Sequence, residues 1–447
     1  MANTYLTRTF GSATSRTKFT ISVWLKKSTI NSDDNDEKHF FNGYNSSNYR
    51  FMIYMTNIDQ LKIRNVDNGT ETVEYVSNAK YRDVSGWYHV VVRIDTSQGS
   101  GDRIRAYVNG EQITSWSSSN EPSSGADFSL GASSYSCVLG RYGGGAHYWN
   151  GGMSHYHYCD GQSYAPTEFG ETDSTTGEWK IKVDPSVTYG NQGFFMFKND
   201  NSLNDDSGNG NNFSLGAGTL TKTEDCPSNV FATWNPLDGY YQDGTGSNGN
   251  TTWQTINSKY SYRPATLGVS SGKFYWEVKY VAKSGGTDYP QIGITSTQTA
   301  ANKGIGDNPH DWGQYIDNNT SYLRNNSSSS AWGTAFTVGD IVGVALDCTN
   351  NKLYLSKNGV FQESGNPSSG SNGISITAPA STPLGLYFPA FTFYDGSTNG
   401  TFSANFGNGY FGTTAVSSAG TNASNNGIFE YDVPAGYTAL STKGLNL

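Results

Sequence analysis

One supersecondary pattern occurs twice in this 447-residue chain and restricts its fold more than any other feature. In the first copy, Val90-Val91-Val92-Arg93-Ile94-Asp95 leads through a polar loop to Arg103-Ile104-Arg105-Ala106-Tyr107-Val108, then Asn109-Gly110 and a returning segment through Ile113. In the second, Ile341-Val342-Gly343-Val344-Ala345-Leu346-Asp347 leads to Leu353-Tyr354-Leu355-Ser356-Lys357, then Asn358-Gly359-Val360-Phe361. An Asn-Gly pair between alternating segments is the strongest short hairpin signal, because a type I′ turn needs positive φ at both central residues. Alternation with period two recurs elsewhere: Phe19, Ile21, Val23 and Leu25 share one face, and so do Tyr88, Val90, Val92 and Ile94. No segment keeps a 3.6-residue period for three turns, so a turn around Ala165–Phe169 is the only helix expected. The reading is an all-β chain of two antiparallel β-sandwiches in series.

Composition agrees. Glycine supplies 53 residues and aromatics 14%, while charged residues make up only 15%, too few for a coiled coil or a charge-driven disordered chain. The formal charge of −9, with no run of basic residues, excludes nucleic acid as an expected partner. No apolar stretch approaches the roughly 20 residues that span a bilayer, and the first residues lack the pattern of a signal peptide. A soluble product made in a cytosol is expected, with Cys137, Cys159, Cys226 and Cys348 as buried thiols. The boundary between the halves is expected near Asn235-Pro236-Leu237-Asp238, ahead of a Gly/Ser/Asn stretch.

The first half resembles a laminin-G-like, concanavalin-type sandwich. The residues that carry the likeness are Phe19–Leu25, Gly86–Val92, Tyr107-Val108-Asn109-Gly110 and Trp149-Asn150-Gly151-Gly152-Met153. The stretch from Phe194 to Asn211 usually comes first in that family, and here it follows. The second half resembles a SPRY domain through Gly272–Val278, Ile292-Gly293-Ile294, Gly339–Asp347, Leu353–Gly359, Tyr387–Phe391 and Phe402–Gly407, in the family's order. That resemblance implies a bent sandwich whose end loops form a shallow, non-catalytic binding surface. The expected organisation is residues 1–165 as the first sandwich, 166–235 as a connector, 236–412 as the second sandwich, and 413–447 as a tail packed on it. Residues 190–220 either complete the first sandwich or stand alone.

Motifs that could carry chemistry are weak. Gly268-Val269-Ser270-Ser271-Gly272 fits a nucleophile elbow, but it runs into a strand where the elbow needs a helix. Asp205-x-Ser207-x-Asn209-Gly210 begins like a calcium loop and lacks the closing carboxylate. Asp33, Asp34, Asp36 and Glu37 form an acidic cluster, most simply a solvated loop. His155 and His157 fall on one face of a strand with no third ligand evident from spacing. Glu430 and Asp432 lack the partner acid of a glycosidase. No catalytic residue, metal or cofactor is expected.

Two loops are the candidate ligand sites. In Gly143–Gly152, rings flanked by glycine can lie open to a flat ligand face, which nominates His147, Tyr148, Trp149 and Asn150; the resemblance gives Trp149 a packing role instead. In the second half, His310–Tyr315 nominates Trp312 and Tyr315 on the same grounds. Taken whole, the order of the two domains is similar to virion proteins of tailed phages, especially marine ones. That likeness implies a tail fibre, appendage or capsid decoration located on the virion. Its expected partners are other virion proteins and a host surface glycan or protein, in a homo-oligomer, with a trimer favoured. The rival readings are an intracellular SPRY adaptor that binds a short peptide and, more distantly, a carbohydrate-active enzyme.

Overall fold

The computed structural model describes residues 3–30, 37–238, 244–256, 260–285, 289–298, 302–394 and 399–446. The chain divides into two compact units, Met1–Lys222 and Thr223–Leu447. Among the described residues there is no α-helix, and the expected turn near Ala165 is the 3₁₀ turn Pro166–Glu168.

In the first unit, the strand Lys18–Lys27 pairs antiparallel with Trp87–Asp95, setting Phe19, Ile21 and Val23 opposite Ile94, Val92 and Val90. These six side chains are fully buried, as their alternation requires. They belong to a six-stranded sheet in the order Phe194–Met196, Gly151–Asp160, Lys18–Lys27, Trp87–Asp95, Ile104–Val108, Glu111–Gln112. A second sheet of eight strands shares its core: Phe19 from the first sheet meets Phe51 and Phe128 edge-on at 5.5 and 5.3 Å. Within that sheet Tyr5–Thr9 lies between Ser136–Leu139 and Ser214–Ala217.

The second unit repeats the plan. Lys273–Lys283 pairs with Ile341–Asp347, which pairs with Lys352–Lys357, in a nine-stranded sheet. Opposite lies a six-stranded sheet in the order Ser261–Pro264, Phe388–Tyr394, Tyr289–Thr295, Trp312–Asp317, Thr320–Asn325, Ser328–Ala331. Phe391 and Phe402 stack between the two sheets at 4.7 Å.

The two Asn-Gly turns are built alike down to single bonds. Asn109 and Asn358 have φ of 50° and 48°, and the glycines after them have 83° and 81°. Each Asn side chain accepts an N–H near the start of the first strand of its hairpin, that of His89 at 2.8 Å and of Ile341 at 2.9 Å. Each Asn N–H donates back to that residue's carbonyl at 2.8 Å. At the far end, the aspartates Asp95 and Asp347 each cap the following turn and meet the lysine opposite them, Lys18 at 3.2 Å and Lys273 at 3.1 Å.

The expected connector is not one. Phe194–Met196 extends the sheet beside Tyr156–Tyr158, and Ser214–Ala217 seals the edge at Tyr5, so residues 190–220 belong to the first unit. Conversely Phe231 and Trp234 lie in the core of the second unit, which puts the division near Lys222, upstream of the expected 235. The reason is apolar burial: Trp234 packs against Phe391 and Phe406 at 4.7 and 5.3 Å, and no linker composition outweighs a fully buried indole. The tail is likewise inside the unit, with Phe429, Val433, Tyr437 and Leu440 in its core and Thr438–Ala439 parallel to Phe274–Tyr275. Three cysteines are buried; Cys226 is half-buried, and none is in a disulfide.

Candidate functional site

The first candidate loop connects Ser136–Leu139 to Gly151–Asp160. It turns through left-handed backbone at Gly145, Ala146 and His147. A side chain at Gly143 would fall 2.3 Å from the Tyr44 ring, which explains the glycine there. Trp149 is only 8% exposed: it lies edge-on to Phe40 at 5.7 Å, and its indole N–H donates to the Gly152 carbonyl. It fills core and is not open to a ligand, because the pairing of Gly151 and Gly152 with Lys27 and Lys26 draws the loop onto the sheet. Its neighbour Tyr148 flanks the Arg141 guanidinium, which also sits 3.6 Å over the Tyr5 ring. His147 lies 5.8 Å from the His39 ring, and its carbonyl accepts the His39 N–H. The Asn150 carbonyl accepts from Ser28. The four residues are thus adjacent in the loop, but two of the rings serve packing.

Trp312 and Tyr315 point to opposite faces of one strand, so they do not form a single site. Trp312 shares the inward face with Gln314 and Ile316 and packs on the core. Tyr315 is half-exposed on the outer face, beside Tyr289 and Tyr322 with the Arg324 guanidinium 5.0 Å above its ring.

The candidate chemistry resolves into hydrogen-bonded turns. The Asp205 carboxylate accepts the N–H groups of Phe195, Ser207 and Asn211 and the Ser207 hydroxyl, so its oxygens are occupied within the loop. Glu430 caps Ser417, and Asp432 caps Thr421. Ser270 stands on an exposed bend that enters the strand at Lys273 directly. His155 and His157 are buried; the strand bulges between Ser154 and His157, and both rings pack on Phe195. Burial pushes His155 down to about 4, His89 two strands away to about 3, and His157 well below its ordinary range, so all three are neutral packing groups at pH 7. Among the described residues no cluster of three or more His, Cys, Asp or Glu could hold a metal ion. Asp33, Asp34 and Asp36 lie outside the described residues; Glu37 accepts from the His39 ring at 3.3 Å. Among the described residues no helix is long and apolar enough to cross a membrane.

A surface that sequence reasoning missed lies at one end of the second unit. The turns Thr337–Asp340 and Asn358-Gly359 are joined by an Asn358 amide bond to Asp340 at 2.7 Å and by Lys357 to the same carboxylate at 3.0 Å. They carry Val360, 72% exposed, and Val338, 42% exposed. An aliphatic residue directly after Asn-Gly was the available signal, since hairpin tips ordinarily take polar residues.

Residues 2–161 match the model of the concanavalin A-like lectin/glucanases superfamily, and residues 273–409 match the SPRY domain model. The chain carries a concanavalin-A-like domain followed by a SPRY domain. Curated relatives include the Ran-binding proteins 9/10 homolog of Drosophila melanogaster, 27% identical over 133 residues, 28% of this chain and 14% of that protein. Ran-binding protein 9 of Homo sapiens is 27% identical over 136 residues, 28% of this chain and 18% of its own length. The chain thus spans less than a quarter of the relatives it matches. Among solved structures, the SPRY domain of human HERC1 is 17% identical, covering 38% of this chain and 96% of that one with a TM-score of 0.31. A heptameric SAP-like pentraxin from Limulus polyphemus is 15% identical, covering 49% and 91% with a TM-score of 0.29. The core of the second unit extends beyond the matched residues 273–409, taking in Phe231, Trp234, Phe429 and Leu440.

Proposed function

We propose that this chain is a non-enzymatic binding protein whose SPRY domain holds a segment of a protein partner at the turns bearing Val338 and Val360. The SPRY match carries the reading, together with its relatives among the Ran-binding proteins, which are named for binding a protein. The surface supports it: exposed aliphatic side chains held on rigid, hydrogen-bonded turns bury apolar area at little conformational cost when a partner arrives. This is the adaptor reading. The virion setting and the host glycan have no counterpart among the relatives above and are not carried forward.

The test is proximity labelling and affinity capture in the cell that makes the protein, with wild type beside Val338→Asp/Val360→Asp. Both positions are exposed, so the variant should melt as wild type does. Proteins captured by wild type and lost from the variant support the reading. An identical set of partners, or binding to glycans alone, overturns it.

A further inference from the structure

The outer face of the six-stranded SPRY sheet carries a row of half-exposed tyrosines. Tyr289 stands opposite Tyr394 in the strand register, and Tyr315 opposite Tyr322; Tyr289 and Tyr315 are diagonal neighbours, because Gln291 pairs with Tyr315. Tyr260, just before Ser261, continues the row beside Tyr394. Successive ring centroids from Tyr260 through Tyr394, Tyr289 and Tyr315 to Tyr322 are 4.6, 5.8, 6.2 and 6.1 Å apart, with interplanar angles of 30°, 41°, 18° and 35°. Four tyrosines in four adjacent strands, with Tyr260 just ahead of a fifth, thus line one face of the sheet. None of the five hydroxyls bonds to another described residue, and Asp317, two positions beyond Tyr315 on the same face, is in no ion pair among the described residues.

Centroids 4.6–6.2 Å apart with interplanar angles of 18–41° leave clefts between neighbouring rings, lined by ring edges and hydroxyls. The positive ring edge and the phenol O–H attract acceptors. Burial raises the Tyr260 and Tyr315 phenols above their ordinary range, keeping them protonated donors at any physiological pH. The complementary ligand is rich in acceptors and poor in donors, with apolar ridges to fill the clefts between rings. A proline tract has this character: its residues lack N–H groups, and the polyproline II backbone leaves its carbonyls free.

We propose that the row Tyr260–Tyr394–Tyr289–Tyr315–Tyr322 docks a proline-rich segment of a protein partner in the polyproline II conformation, with a basic residue of that segment paired to Asp317. This mode combines an aromatic-lined groove with a preformed extended ligand. It is a second surface of the SPRY domain, distinct from the Val338/Val360 turns.

Fluorescence anisotropy of a labelled decaproline ending in arginine, titrated with the full chain, tests it against a glycine–serine peptide of equal length with the same arginine and against a β-glucan hexasaccharide as competitor. Saturable binding of the proline peptide alone is expected. Tyr289→Phe/Tyr315→Phe/Tyr394→Phe, which keeps every ring, should weaken it about tenfold or more with an unchanged melt. Asp317→Asn should weaken the arginine-bearing peptide and leave plain decaproline unaffected. Val338→Asp/Val360→Asp should bind the peptide as wild type does, which separates this proposal from the previous one. No binding to wild type, equal binding of the glycine–serine peptide, displacement by the glucan, or indifference to the triple substitution overturns it.

Discussion

Asn109 and Asn358 each do two things at once: they take positive φ cheaply, and they accept a strand N–H. Substitution by glycine keeps the first and loses the second, whereas alanine loses both. Asn358→Gly should cost about 1 kcal/mol and Asn358→Ala about 1 kcal/mol more. For a unit of this size that is a drop of roughly 2–4 °C in Tm per step, read by calorimetry, with the same ordering at Asn109. The buried histidines set a pH response in the first unit. Burial holds their folded pKa below the ordinary imidazole value of 6.5, at about 3 for His89 and about 4 for His155. Unfolding therefore takes up protons below pH 6.5, and the stability present above that pH should be lost as pH falls toward 4. His89→Gln should flatten this slope in melts at pH 4–7; an unchanged slope would show that other groups set it. At this scale the Asn-Gly pairs were legible in the sequence because their chemistry is local. The burial of Trp149 was legible only through the family resemblance, since an indole between glycines reads alike whether it faces out or in; the pairing of Gly151 and Gly152 with Lys27 and Lys26 decides it.

Among the elements, the tail of the second unit is the one whose role the sequence hid. Strands with period two announced themselves, and Phe19–Leu25 and Ile341–Asp347 fall where the alternation put them. The segment from Phe429 to Leu440 has only a two-residue strand, and its apolar residues follow no period, so a tail packed on the sandwich was expected but its share of the core was not. It is held by Glu277, a buried carboxyl that accepts the N–H groups of Glu430 and Tyr431 at 2.9 Å, with Asn405 and Tyr275 as further donors. Burial pushes Glu277 up to about 7 despite these donors. The folded unit then holds a proton that the unfolded chain releases above pH 4.5, so this contribution is full below pH 4.5 and lost as pH rises through 7. Glu277→Gln should remove that part of the pH dependence of the second unit's melt. Deleting residues 413–447 should abolish the cooperative melt of the second unit and leave that of the first, as seen in calorimetry and limited proteolysis.

At the scale of the whole molecule, two sandwiches were legible in the repeated hairpin pattern but the seam between them was not, because polar composition near residue 240 looked like a linker while the buried Phe231 and Trp234 lie ahead of it. The trimer expected from the sequence is a proposal for light scattering: a mass three times 48.4 kDa supports it, and a monomeric mass at micromolar concentration counts against it. Both units share one trait of chain routing. Tyr5–Thr9 is bordered by Ser214–Ala217, and Phe231 bridges Ser441 while the Ala232 N–H donates to the Leu440 carbonyl. Each unit is closed by its own two ends. On the ribosome, then, neither can finish folding until nearly all of it has emerged, and each nascent half-unit must wait with an open sheet edge, the state in which β-proteins misassemble and chaperones are needed.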